Sequence, residues 1–163
     1  MVLRSIKPLK TRSFFIFGPR GSGKSTWLRQ HIEGPDTLVF NLLEPQIYEL
    51  LLLEPQRFYD IITSKENQNK IIVVDEVQKL WPAAGSKTTP DIRDLSEHRH
   101  YGLTFFLITQ SPKLISRYVL ALVDKHLHIR STWAGRNLYE WSEYCSNPTA
   151  KTNRDLAVKS AYR

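Results

Sequence analysis

The sequence predicts an α/β fold, and three observations support that prediction. Five short apolar segments have the length of buried strands, and stretches with helical spacing separate them. A glycine-rich turn joins the first apolar segment to the first helical stretch. Because strands that alternate with helices are typical of a parallel sheet covered on both faces, we expect a central parallel sheet between two helical layers.

Each predicted strand is an apolar run bounded by turn or helix signals, which is typical of a strand buried on both faces. With 163 residues the chain is long enough for one domain with its own core. We expect that domain over residues 1–145 and a polar, basic tail over residues 146–163, where the apolar pattern ends. The predicted strands are Phe14–Phe17, Thr37–Leu42, Lys70–Asp75, Leu103–Thr109 and His126–Ser131.

The helical regions lie between these strands. Pro55 interrupts the second region, so we expect two short helices there. The last region begins with Ser111 as a candidate N-cap and Pro112 at the first helical position. The predicted regions are Ser25–Ile32, Pro45–Ser64, Asp91–His100 and Ser111–Asp124.

Composition and charge exclude several classes of protein. Cys145 is the only cysteine, which excludes an internal disulfide and a zinc site built from cysteines. No apolar run reaches the roughly 18–20 residues that a membrane-spanning helix needs. The formal net charge of +7 suits phosphates, nucleic acid or an anionic membrane surface, and equally an ordinary solvated basic surface.

The strongest motif is the loop Gly-Pro-Arg-Gly-Ser-Gly-Lys-Ser that follows the first strand and opens a helix. It satisfies the complete phosphate-binding loop (P-loop) pattern G-x-x-x-x-G-K-[ST]. Its glycines allow backbone amides to wrap around a phosphate, Lys24 places its charge against the β- and γ-phosphates, and the Ser25 hydroxyl binds Mg2+. We therefore expect ATP and Mg2+ as cofactors. The candidate nucleotide-binding residues are Gly18, Pro19, Arg20, Gly21, Ser22, Gly23, Lys24, Ser25 and Thr26.

A second motif is an apolar strand that ends in two carboxylates, Asp75 and Glu76. Beside a P-loop, we expect Asp75 to hold the magnesium ion together with Ser25, and Glu76 to polarise the attacking water as general base. The alternative is a buried strand that ends in a solvated acidic pair.

Polar and basic residues near the other strand ends are further candidates. Gln110 follows the fourth strand and is a candidate sensor of the γ-phosphate. Arg99 is a candidate arginine finger for a neighbouring subunit, although balancing a helix dipole is the more ordinary role, and Arg117 and Arg130 are weaker finger candidates. His126 and His128 share one face of a strand, where two histidines without a third ligand indicate a structural role.

Two parts of the chain resemble known families. The stretch from Phe14 to Leu80, which contains FFIFGPRGSGKSTWLRQ and IIVVDEVQKL, resembles prokaryotic AAA-type ATPases. The stretch from Trp81 to about Tyr144, which contains LSEHRHYGLTFFLITQSPKLI, DKHLHIR and YEW, resembles the cytoplasmic domain of the zonula occludens toxin (Zot) family. Both are P-loop NTPases, and the resemblance implies a sheet order of 5-1-4-3-2. The change of family near Lys79–Pro82 leaves two origins open, a divergent natural member and a chimera.

The resemblance also implies a function. It implies Mg2+-dependent ATP hydrolysis with Lys24, Glu76 and Gln110 as catalytic residues, in a homo-oligomer that drives filamentous phage assembly or DNA export. It implies a place at the cytoplasmic face of the bacterial inner membrane, with membrane association through a segment outside this chain and DNA as a possible partner. The alternatives are a standalone AAA-type ATPase and a nucleotide-binding scaffold without turnover.

Overall fold

A computed structural model describes residues 12–83, 97–122 and 124–162, with the side chains of 160–162 left out. The described residues form one sheet in the order β2-β3-β4-β1-β5-β6-β7. Its strands are β1 (Phe14–Phe17), β2 (Thr37–Asn41), β3 (Ile71–Asp75), β4 (Thr104–Thr109), β5 (Lys125–Thr132), β6 (Gly135–Trp141) and β7 (Val158–Tyr162). The α-helices are α1 (Lys24–His31), α2 (Pro45–Leu53), α3 (Pro55–Thr63), α4 (Arg117–Leu120) and α5 (Lys151–Leu156).

The five predicted strands are all present as β1 to β5, and they run parallel in the expected order 5-1-4-3-2. The prediction of about five strands was nevertheless too low, because β6 and β7 extend the sheet beyond β5 in antiparallel pairing. β6 reads GRNLYEW and buries only Leu138 and Tyr139. A strand near a sheet edge can remain half exposed, so its sequence lacks the apolar run that marks a central strand.

The central strands are apolar on both faces because helices cover both. Phe14 and Ile16 of β1 lie on one face and pack into a cluster with Trp27 of α1. Phe15 and Phe17 lie on the other face, in a cluster that includes residues of α2, α3 and α4. The alternation of a strand thus divides the core into two layers. Because β1, β3 and β4 run parallel, the connections that follow them lie at one carboxyl edge of the sheet.

The helix predictions were confirmed in the first half of the chain and corrected in the second. Pro55 separates α2 from α3 as expected. The single helix expected over Ser111–Asp124 was wrong, because Ser111 and Ser116 each cap a separate short helix with a side-chain oxygen. Ile115 between them is extended and bridges to Pro82. Of the helix expected over Asp91–His100, residues 91–96 lie outside the described residues, and His98–Tyr101 form a 3-10 helix.

The segment predicted as a basic tail contains α5 and β7, and β7 pairs with β6. The division into a domain over residues 1–145 and a tail over 146–163 stays a prediction. In the described ranges, no helix is both long enough and apolar enough to cross a membrane.

Candidate active site

The loop between β1 and α1 lies at the carboxyl edge of the sheet, pressed against the neighbouring strand β5. A methyl group at Gly18 would lie 2.5 Å from the carbonyl oxygen of Ile129, so only glycine fits where the loop leaves the strand. Gly23 has a φ of 92° and no side-chain cap, and it precedes the first turn of α1. The first amides of any helix have no partner within that helix, so the start of α1 provides donors of the kind that an anion site requires.

Lys24 is buried inside this loop. Its Nζ donates to the carbonyl oxygens of Gly18 at 2.7 Å and of Pro19 at 3.1 Å. Desolvation by burial lowers the pKa of Lys24, while the carboxylates of Glu76 and Asp75 act in the opposite direction. The Ser22 hydroxyl is also buried beside Gly18 and has no hydrogen-bond partner among the described residues. Among the described residues, the Lys24 ammonium group donates to two carbonyl oxygens and lies in the same loop as the unpartnered Ser22 hydroxyl, so both can donate to a phosphate.

Ser25 and Asp75 meet as the motifs predict. The Ser25 Oγ donates to Asp75 Oδ2 at 3.2 Å, which joins the start of α1 to the end of β3. Burial raises the pKa of Asp75, although the hydrogen bond from Ser25 lowers it in part. Carboxylate and hydroxyl oxygens are hard donors of the kind that Mg2+ prefers, and a cation would relieve the cost of burying this charge. The donor set therefore fits magnesium, with Asp75 and Ser25 as the residues that would hold it.

Glu76 adopts a left-handed backbone conformation with φ 59°, which is rare for a residue other than glycine. Its carboxylate accepts a hydrogen bond from Nε2 of Gln78. Gln78 in turn accepts at Oε1, at 2.7 Å, from the hydroxyl of Thr109 at the end of β4. Sequence reasoning missed Gln78, which links the candidate general base to the neighbouring strand. The signal was present in the sequence, since a polar residue two positions after the carboxylate pair can reach back to it.

Gln110 lies apart from this hydrogen-bonded chain. It lines a cavity of about 610 Å3 together with Pro19 of the loop, Lys113 and His128. It thus sits beside the first residues of the P-loop, while Thr109 is the residue that connects to Glu76 through Gln78. Its role as a γ-phosphate sensor stays a prediction.

A groove of about 290 Å3 brings most of the motif residues together, although Gly18, Pro19 and Ser22 do not line it. One basic residue in it was not foreseen, namely Arg136 at the start of β6. The sequence offered no signal for it, because β6 itself was not predicted. The groove is lined by Arg20, Gly21, Gly23, Lys24, Ser25, Thr26, Leu43, Asp75, Glu76 and Arg136.

Other candidates lie elsewhere. Arg99 forms an exposed ion pair with Asp124, 2.8 Å from Nη2 to Oδ1. It lines a roomier cavity of about 950 Å3 at the amino edge of the sheet, with His98 and Ser13, and that cavity contains none of the motif residues. We assign the chemistry to the smaller groove because the P-loop and the carboxylates converge there. Among the described residues, no cluster of histidine, cysteine or acidic side chains could hold a metal ion by itself.

The comparisons with known proteins agree with this geometry. A family model described as an AAA domain matches residues 10–143. The N-terminal domain of zonular occludens toxin from Neisseria meningitidis is 27% identical, with a TM-score of 0.76 over 95% of each chain. The genome packaging NTPase B204 from Sulfolobus turreted icosahedral virus 2, solved with ATP-gammaS, is 16% identical, with a TM-score of 0.57 over 78% of each chain. No curated protein sequence matches the chain.

Proposed function

The chain belongs to the AAA domain family, and from this membership and the geometry of the groove we propose that it binds Mg2+ and ATP and hydrolyses ATP to ADP and phosphate. The likeness to the Neisseria domain and to the packaging NTPase agrees with a Zot-like P-loop NTPase, the class that the sequence predicts. The observation that carries the proposal is the convergence of Lys24, Ser25, Asp75 and Glu76 in one groove.

Each residue of the groove has a chemical task in this proposal. Lys24 and the loop amides bind the phosphates, and Lys24 exchanges its two carbonyl partners for phosphate oxygens. Ser25 and Asp75 hold Mg2+, which supplies charge neutralisation at the phosphates when it is bound. Glu76 accepts the proton of the attacking water. Such sites gain their rate from positioning and charge stabilisation. The hydrogen bonds from Thr109 to Gln78 and from Gln78 to Glu76 therefore serve to position the general base.

The biological role that we propose is a motor for filamentous phage assembly or DNA export. The resemblance to the Zot family supports it, the 27% identity to the Neisseria domain agrees with that resemblance, and a net charge of +7 is compatible with a polyanionic partner. We propose a homo-oligomer as the active form, located at the cytoplasmic face of the inner membrane through a segment outside this chain. A DNA motor should show ATPase activity that DNA stimulates and that the neutral polymer dextran does not. A standalone AAA-type ATPase should show no such stimulation by DNA.

Two of the comparisons bear on the origin of the chain. The family match and the match to the Neisseria domain each extend across Lys79–Pro82, so neither requires a junction between two parent proteins there. We therefore propose a divergent natural member, and the chimera is the alternative.

Lys24→Ala tests the binding site directly. We expect ATP affinity to fall about 10- to 100-fold, since charge-assisted hydrogen bonds contribute about 1.5–3 kcal/mol. Isothermal titration calorimetry measures it, with Lys65→Ala as the control, because Lys65 is exposed and precedes β3 at the opposite edge of the sheet. Equal affinities for the wild type and Lys24→Ala would contradict the assignment of the loop.

Gln78 is proposed as a positioning residue for Glu76. We expect Gln78→Ala to lower kcat about tenfold with little change in KM, because the carboxylate loses its orientation while the phosphate contacts remain. Thr109→Val, nearly isosteric, removes the hydroxyl that holds Gln78 and should act in the same direction. Because both residues act through one chain of hydrogen bonds, the double variant should lose less than the product of the two single effects. A rise in KM with kcat unchanged would rule out this role.

A further inference from the structure

The hairpin of β5 and β6 extends beyond the end of β1 and forms one wall of the P-loop. β1 ends where Phe17 pairs with His128, whereas β5 continues to Thr132. The Ile129 carbonyl, just past that point, lies against Gly18. The returning strand β6 then runs beside β5, with Arg136 opposite Ser131. The hairpin tip is closed by a hydrogen bond from the Thr132 hydroxyl to the Gly135 carbonyl at 2.9 Å.

Arg136 approaches the loop at Gly23, the residue before Lys24. A methyl group at Gly23 would lie 2.8 Å from Nη1 of Arg136 and 3.0 Å from its Cζ. The guanidinium thus occupies the space that a side chain at this position would take. It lies in the same groove as Lys24 and Ser25, at the start of α1.

The charges of the groove indicate what Arg136 would bind. Asp75 and Glu76 are the acidic side chains of the groove, and the proposed mechanism assigns them to the metal and the water. The basic side chains of the groove are Arg20, Lys24 and Arg136, of which Arg20 is exposed to solvent while Lys24 and Arg136 are at least partly buried beside the loop. A guanidinium presents several N–H donors in a planar fork that matches phosphate oxygens, and it stays charged when partly buried. A phosphate chain is the ligand that such a donor suits.

From these observations we propose that Arg136 binds the phosphate chain of the nucleotide in the same subunit, as a second cationic ligand beside Lys24. This inference rests on the proposed ATP binding and names a further residue of that site. It also gives the antiparallel strand β6 a function, which is to place the Arg136 guanidinium beside the P-loop. The phosphates, and not the base or the ribose, are the part of the ligand that Arg136 recognises.

The test uses inorganic tripolyphosphate beside ATP, since tripolyphosphate has no base or ribose. We expect Arg136→Gln to weaken binding of both ligands about 10- to 100-fold, and Arg136→Lys to lose less, because it keeps the charge without the fork. Arg130→Gln is the matched control, since Arg130 is an exposed arginine of the partner strand β5. Tripolyphosphate affinity unchanged in Arg136→Gln, or lowered equally in Arg130→Gln, would overturn the proposal.

A second measurement uses the wild-type chain and so does not depend on how the variants fold. Phenylglyoxal modifies accessible guanidinium groups, and peptide mass spectrometry reports the extent at each arginine. We expect saturating tripolyphosphate to protect Arg136 and to leave Arg130 as reactive as before. Equal modification of Arg136 with and without tripolyphosphate would overturn the inference.

The two experiments separate this inference from the proposed function. A wild-type chain that binds tripolyphosphate through Arg136 but does not hydrolyse ATP would contradict the hydrolysis and support the inference. A wild-type chain that binds neither ligand would overturn both. Hydrolysis of ATP with full affinity retained in Arg136→Gln would support the proposed function and refute the inference.

Discussion

Glu76→Gln is expected to reduce ATP turnover by about 100-fold or more, since a general base contributes about 100- to 10,000-fold to rate. The amide has nearly the shape of the carboxylate but cannot accept the proton of the attacking water. Binding of ATP should stay within about threefold of the wild type, because the loop and Lys24 are untouched. Steady-state phosphate release and calorimetry on the same preparation measure the two quantities.

The control for this variant is Glu66→Gln, an exposed glutamate in the 3-10 helix that precedes β3. It makes the same chemical change at the opposite edge of the sheet, and we expect no effect on turnover. Turnover retained in Glu76→Gln would show that another group activates the water. Loss of ATP binding in the same variant would instead show that Glu76 belongs to the nucleotide-binding residues.

The second large effect is a loss of stability in mild acid caused by His126 and His128. Both side chains are buried on β5, and their pKa values are lowered, mainly by burial, to about 3 for His126 and about 4 for His128. Positive charges contribute to these shifts, from Arg130 and Lys24 in the case of His128 and from His128 in the case of His126. His126 lies among the rings of Phe17, Trp141 and Tyr144 and accepts a hydrogen bond from the Cys145 amide at Nδ1.

The sign of the effect follows from proton uptake on unfolding. Both native pKa values lie below the unfolded value of 6.5, so the unfolded chain binds more protons and the free energy of unfolding falls as pH drops below 6.5. For each of the two histidines, we expect the free energy of unfolding to fall by about 2 kcal/mol between about pH 7.5 and about pH 5. Urea unfolding at the two pH values measures the loss.

The matched variants keep this prediction specific to the buried pair. In His128→Gln, the fall in the free energy of unfolding between the two pH values should be about half that of the wild type, since one of the two titrating groups is absent. His100→Gln, at an exposed position of the 3-10 helix before β4, should leave it unchanged. A free energy of unfolding that is the same at both pH values in the wild type would refute this explanation.

The central strands and the P-loop could be predicted because each is marked by a short stretch of consecutive residues. FFIF before the loop and IIVV before Asp75 are apolar throughout, since helices cover both faces, and such runs can be recognised without knowing which strands they pair with. The P-loop pattern likewise fixes a local backbone path, and Ser25 and Asp75 meet because the start of α1 and the end of β3 lie at the same carboxyl edge of the parallel sheet.

The features that the sequence did not reveal depend on contacts between distant segments. β6 is half exposed because it lies near the sheet edge, so its residues carry no strand signal, and Arg136 was missed with it. The helix expected over Ser111–Asp124 was replaced by two short ones because Ile115 pairs with Pro82 from far along the chain. Gln78 acquires its role only through Thr109, 31 residues away.

The most direct test of the account is phosphate release from ATP by the wild-type chain, measured with Mg2+ and with EDTA across a range of protein concentrations. We predict turnover that requires Mg2+ and that rises per subunit with concentration if a homo-oligomer is the active form. ATP that binds through Lys24 but releases no phosphate at any concentration would contradict the ATPase proposal. The chain would then be a nucleotide-binding scaffold.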